Sequence, residues 1–265
     1  MIFLKTDDEI ELLRQSNLLV GKTLAELAKL IKPGVTTKQL DKVAEEYIRD
    51  HGAVPIFKGF PNPYGGPFPG SICTSVNEQV VHGIPNDIPL KEGDIISVDC
   101  GTYMNGYCGD SAYTFCVGEV APEIVALLKT TKEALYKGIE NAVHGKRLGD
   151  IGYAIQQHCE AQSYEVVREF VGHGIGKEMH EDPPVPNYGK RGTGTLLKKG
   201  MCIAIEPMIT LGSRKIVMEN DRWTVRTMDR KCAAHFEHTV AVGLGKADIL
   251  SSFDYIEEVL KNKEN

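Results

Sequence analysis

Acidic side chains set inside apolar runs constrain this chain more than anything else in it. Asp99 follows Ile95-Ile-Ser-Val, and Asp110 stands within the run from Tyr107 to Gly118. Glu206 closes Met201-Cys-Ile-Ala-Ile, and Glu237 lies between His235-Phe and His238-Thr-Val-Ala-Val. His173 sits among glycines in Val171-Gly-His-Gly-Ile-Gly176. Each segment reads as a buried strand or its edge, and a buried charge is costly unless it is paired or bound to metal. Four carboxylates and one imidazole suit two divalent metals that share bridging carboxylates. That set implies hydrolysis by a metal-activated water.

The local pattern places two of these acids together. Asp94 to Gly101 and Tyr107 to Gly118 alternate around Met104-Asn-Gly106, which is a hairpin signal. A two-residue turn at Asn105-Gly106 sets Met104 opposite Tyr107, Gly101 opposite Asp110 and Asp99 opposite Ala112. Asp99 and Asp110 are then diagonal neighbours on one face. They repel each other unless cations lie between them. The plainer reading, a solvated polar face, is weakened by Ile95, Ile96 and Val98 around Asp99. A lone histidine is usually structural. His173 is more site-like, with three glycines around it, His180 seven residues later and Glu-Asp-Pro-Pro following. Gly174-Ile-Gly lacks the full pattern of a phosphate loop.

Elsewhere the sequence predicts a long amphipathic helix over 7–32, capped by Thr6 or Asp7 and ended by Pro33-Gly34. Thr36 with Gln39 forms a capping box for a second helix to about His51. A Pro/Gly-rich loop at 59–70 carries Phe60, Tyr64 and Phe68, which is unusual for a mere linker. Helices follow at about 122–142 and 148–162, then mostly strands in 164–180, 200–212, 223–228 and 234–243. The order helix, glycine turn, helix, strands occurs twice. Leu40 and Ala44 fall on Ile151 and Ile155 at one shared offset, a weak sign of two pseudo-equivalent α+β halves. No interdomain linker is evident, so one unit over 1–265 is expected.

The chain has 265 residues and a net charge of −6, so it is no electrostatic binder of nucleic acid as a whole. Its basic clusters, Lys198-Lys199 and Arg222 to Lys231, read as solvated loops. No apolar run approaches the roughly 20 residues of a membrane span. No signal peptide is read at the start, and the seven cysteines, with no CxxC pair, read as reduced thiols of a cytoplasmic protein.

Taken together, Cys73-Thr-Ser-Val-Asn-Glu with Val81-His-Gly-Ile-Pro85, Asp99 through Gly109-Asp110, Gly172-His-Gly-Ile-Gly176 with His180-Glu, Ile205-Glu-Pro-Met208 and Phe236-Glu-His-Thr239 resemble type I methionine aminopeptidases of peptidase family M24. The resemblance covers nearly the whole chain, and the order and spacing of the motifs are specific. It implies the α+β pita-bread fold: a curved antiparallel sheet covered by two helix pairs, with a pseudo-two-fold internal repeat. It implies two divalent ions, of cobalt, manganese, iron or zinc. Asp99 would chelate one ion, Asp110 and Glu237 would bridge the pair, and His173 and Glu206 would complete the other. A bridging water or hydroxide would be the nucleophile and Glu206 the proton shuttle. His82 and His180 would hold the substrate and stabilise the tetrahedral intermediate. Cys73, Phe68, Met179 and Trp223 would line the pocket for the methionine side chain.

The implied reaction is removal of the initiator methionine from nascent chains whose second residue is small. Nascent N-termini would be the partners, with transient ribosome contact, no nucleic-acid substrate, no membrane and a monomeric state. Three departures from the resemblance stand out. Met179 replaces a frequent aromatic, the 59–70 loop is long, and the zinc-binding extension of eukaryotic type I forms is missing. A prolidase or Xaa-Pro aminopeptidase on the same fold would carry an additional N-terminal domain. A non-catalytic binder of RNA or proteins would show eroded ligands and a basic face. The intact set of ligand residues argues against this last reading.

Overall fold

Capping chemistry starts both helices of the first pair. The computed structural model describes residues 1–263. Helix α1 spans Asp7–Leu30 and α2 spans Thr37–Asp50. Thr6 and Glu9 close a reciprocal capping box on α1, as Thr36 and Gln39 do on α2. Each box satisfies backbone N–H groups that have no partner within the helix. Helix α1 ends at Leu30, short of the expected 32, because Pro33 does not tolerate a helical neighbour before it. The second pair is α3 (Pro122–Ile139) and α4 (Leu148–Glu160).

The apolar stripes of the second helix in each pair match position by position. Leu40, Ala44 and Ile48 on α2, and Ile151, Ile155 and Cys159 on α4, are all fully buried. Gly138 lets the second pair close: a Cβ there would stand 2.8 Å from Ile155 Cδ1. A fifth helix, α5 (Asp254–Lys263), packs on α1 and was not expected from sequence. Only Ile256 of that helix is buried, so its apolar signal is faint.

Among the described residues the strands pair antiparallel in four sheets. The longest is the hairpin Ile95–Met104 with Tyr107–Cys116. Its register is Met104 with Tyr107, Gly101 with Asp110 and Asp99 with Ala112, as the Asn105-Gly106 turn demands. Asn105 (φ 55°) and Gly106 (φ 86°) take the left-handed conformations of that turn. Ile72–Val76, which pairs on the other side of Ile95–Met104, was not anticipated as a strand. A second ladder of five strands contains Gly172–Gly174, Glu181–Val185, Cys202–Ile205 and His238–Ala241. One continuous apolar core, including Leu24, Ile96, Phe115, Leu135, Ile203 and Phe236, joins the helices to the sheets.

Candidate metal centre and substrate cleft

Two sheets deliver the five candidate ligands to one place. The hairpin offers Asp99 and Asp110. In the second ladder Gly174 pairs with Ile203, and Ile205 pairs with His238. His173, Glu206 and Glu237 each adjoin one of those paired positions. The free edge of Tyr107–Cys116 binds the second ladder directly. The Glu237 N–H donates to the Ala112 carbonyl at 2.9 Å, and the Ser111 hydroxyl donates to the Glu237 carbonyl at 2.7 Å. The backbone of Asp110 is clamped from both sides. Its N–H donates to Asn17 Oδ1 at 3.0 Å, and its carbonyl accepts from Thr239 Oγ1 at 2.9 Å. Helix α1 reaches this strand because position 109 is glycine: a Cβ there would lie 2.6 Å from the Ser16 carbonyl carbon.

The side chains converge with little exposed surface. Asp110, His173 and Glu237 each present one ligand atom, and the three atoms lie within 4.8 Å of one another. His173 Nε2 is 3.4 Å from Asp110 Oδ2 and 3.7 Å from Glu206 Oε1. Asp110 and Glu237 are almost completely buried. Asp99 Oδ1, Asp110 Oδ1 and Glu237 Oε1 have no hydrogen-bond partner. Unpartnered buried carboxylate oxygens are costly, and converging ones fit the coordination shell of a divalent cation. The imidazole fits as well. His173 Nδ1 donates to the Gly174 carbonyl at 2.9 Å, which leaves the Nε2 lone pair facing the acids.

Burial and mutual repulsion hold these groups away from their ordinary charge states. Burial raises Asp99 to about 7 and Glu206 to about 8. Burial, and then the neighbouring carboxylates, push Asp110 and Glu237 well above the usual range. Burial lowers His173 to about 3 and His82 to about 4, and it lowers His180 as well. All three imidazoles are therefore neutral at pH 7.

All eleven residues singled out from the sequence line one small cavity of about 140 Å³, with Phe57 and Phe60 beside them. Asp99, Asp110, His173, Glu206 and Glu237 form its floor. Phe68, Cys73, Met179 and Trp223 form apolar wall. The Trp223 indole donates from Nε1 to the Gly66 carbonyl at 3.0 Å and meets Phe68 edge-on at 5.1 Å. The 59–70 loop thus builds the pocket through Phe60 and Phe68, whereas Tyr64 points outward and is 84% exposed. His82 adopts φ 60°, a sparsely populated conformation that cost of order 1–3 kcal/mol elsewhere and often marks functional positions. His180 lies edge-on to His173 at 4.4 Å and to Phe60 at 5.3 Å.

Phe57 and His235 were missed by sequence reasoning. His235 Nε2 lies 3.6 Å from Glu206 Oε2. The signal for it was its place beside Phe236-Glu237. Phe57 carried no signal of its own.

Residues 11–243 match metallopeptidase family M24. A methionine aminopeptidase of Clostridium acetobutylicum is 55% identical over 243 residues, covering 91% of this chain and 95% of that one. The crystal structure of methionine aminopeptidase from Rickettsia prowazekii superposes with a TM-score of 0.91 at 42% identity, covering 95% of this chain and 100% of that one. The corresponding enzyme from Thermotoga maritima gives 0.91 at 43% identity, with 95% and 100% covered.

Proposed function

The chain belongs to metallopeptidase family M24, among its methionine aminopeptidases of the pita-bread fold, and on that premise we propose how its residues divide the work. Asp99, Asp110, His173, Glu206 and Glu237 would hold two divalent ions, of cobalt, manganese, iron or zinc. The single observation that carries this is the convergence of unpartnered, buried Asp99, Asp110 and Glu237 oxygens beside the His173 Nε2 lone pair. Asp110 and Glu237 lie deepest and suit the bridging role. The chemistry such ions supply when bound is a water acidified toward neutrality and a polarised carbonyl.

The remaining work falls to this chain's own side chains. The methionine side chain enters the cavity between Phe68, Cys73, Met179 and Trp223, where sulfur–aromatic contact and shape select an unbranched thioether. Glu206 lines the same cavity and would take the proton of the attacking water and return it to the departing amine as the C–N bond breaks. His82 and His180 are neutral and line the same cavity, so each can donate an N–H to the developing oxyanion.

The substrates are polypeptide N-termini. We read the physiological ones as nascent chains whose second residue is small, processed in the cytoplasm by a monomer acting as one catalytic unit over 1–265, with transient ribosome contact. No described helix is long and apolar enough to cross a membrane. Purified, metal-loaded protein tested on Met-Ala-Ser, Met-Leu-Ser and Ala-Pro peptides checks this reading. Methionine is expected from Met-Ala-Ser at a rate on the order of a hundredfold above Met-Leu-Ser, a discrimination of a few kcal/mol. Cleavage of Ala-Pro instead would move the chain to the prolidase branch.

A further inference from the structure

The segment before helix α1 is not absorbed by the chemistry above, yet it stands at the mouth of the site. A cleft of about 720 Å³ opens outward from the inner cavity and shares His82, His173, His180 and Glu206 with it. Met1 and Phe3 line this outer cleft, together with Phe170 and Pro184. Phe3 is 56% exposed, and Met1, Ile2 and Leu4 are exposed beside it. A run of exposed apolar side chains at the rim of a cleft marks a contact surface.

The segment is fixed rather than trailing. The Lys5 N–H donates to the Gly200 carbonyl at 2.7 Å. The Lys5 ammonium pairs with Glu181, and both side chains are less than a tenth exposed. Glu181 Oε1 in turn accepts the backbone N–H of Lys177 at 3.0 Å and that of Glu178 at 3.4 Å. Those bonds shape the turn that presents Met179 and His180. Gly176 admits the pair, since a Cβ there would stand 2.6 Å from Lys5 Cε.

We infer that residues 1–5 are a specificity-determining wall of the peptide cleft, in which Phe3 receives the side chain of the substrate's third residue and favours an apolar one there. The inference rests on the aminopeptidase reading. Once methionine fills the inner cavity and the scissile bond lies at the acids, the rest of the peptide leaves through the outer cleft. Successive extended residues advance about 3.3–3.6 Å, so the third residue falls within the first stretch of that exit. Phe3 lines that exit, as does Phe170. Lys5 acts as a positioning residue, holding the wall to the His180 turn.

The test compares metal-loaded wild type, Phe3→Ala, Lys5→Met and Lys5→Arg on Met-Ala-Phe-Ser and Met-Ala-Ser-Ser. Wild type is expected to prefer the phenylalanine peptide, through KM. Phe3→Ala should reduce that preference about fivefold, the effect of removing about 40 Å² of apolar contact. Lys5→Met should reduce it too, and Lys5→Arg should retain it. Calorimetric binding of the same two peptides headed by D-methionine should show the same loss without turnover. An unchanged preference in Phe3→Ala, or no preference in wild type, would overturn the inference while leaving the aminopeptidase reading intact. Failure of wild type to cleave either peptide would overturn that reading and the inference with it.

Discussion

Replacing Asp110 by asparagine is expected to lower kcat/KM for Met-Ala-Ser by about a thousandfold or more, because several kcal/mol of transition-state stabilisation depend on the ions it is proposed to hold. The substitution keeps the size of the side chain and the backbone clamp from Asn17 and Thr239. It removes one charge from the centre of the cluster. Without metal, the variant should be no less stable than wild type, since Asp110 Oδ1 is already unpartnered and its charge is opposed by its neighbours. Steady-state kinetics beside a thermal melt of the metal-free protein separates these effects. Lost activity with an unchanged melt supports the assignment. Lost activity with an unfolded chain points to a structural role for Asp110.

The second large effect is a pH-dependent instability of the metal-stripped protein. Asp99 and Glu206 are raised to about 7 and about 8, above the ordinary carboxyl range of the unfolded chain. Through these two groups the folded state holds more protons than the unfolded state from roughly pH 4 to 8, and their contribution to stability falls as pH rises through that window. The buried histidines act the other way. His173 and His82, lowered to about 3 and about 4, favour folding increasingly as pH rises, but only up to about 6.5. Above that the carboxyls decide. Glu206 alone should then cost on the order of 2 kcal/mol between pH 6.5 and 8. Divalent ions should cancel this, because binding replaces the protons. Melting curves with and without metal at the two pH values check the sign. A stripped protein that grows more stable toward pH 8 would contradict the burial of these acids.

Much of the site was legible because charge inside an apolar run has few innocent explanations. Asp99, Glu206 and Glu237 announced themselves in this way. The hairpin register could be counted because Asn105-Gly106 permits one tight turn and strand side chains alternate with period two. The capping boxes of α1 and α2 were legible for a similar reason: the satisfying group lies three residues away. Contacts between distant segments were not legible. Nothing in Ser16-Asn17 signals that α1 packs on Gly109, and nothing in Lys5 names Glu181 as its partner. Ile72–Val76 was missed because five residues of mixed polarity are too few to show a diagnostic period, and α5 because it buries one residue deeply. The apolar wall of the cavity lies between. Phe68 stood out as an aromatic in a Pro/Gly-rich loop and Trp223 entered through the family resemblance, but their edge-on pairing depends on Gly66 and the course of the whole 59–70 segment.

The central claim is that this chain uses divalent ions held by Asp99, Asp110, His173, Glu206 and Glu237 to release N-terminal methionine. The most direct measurement follows methionine release from Met-Ala-Ser while chelator-stripped protein is titrated with one divalent metal. The predicted result is no release at the start and a rise that levels off by two ions per chain. Full release by the stripped protein, or none with any divalent metal, would contradict it.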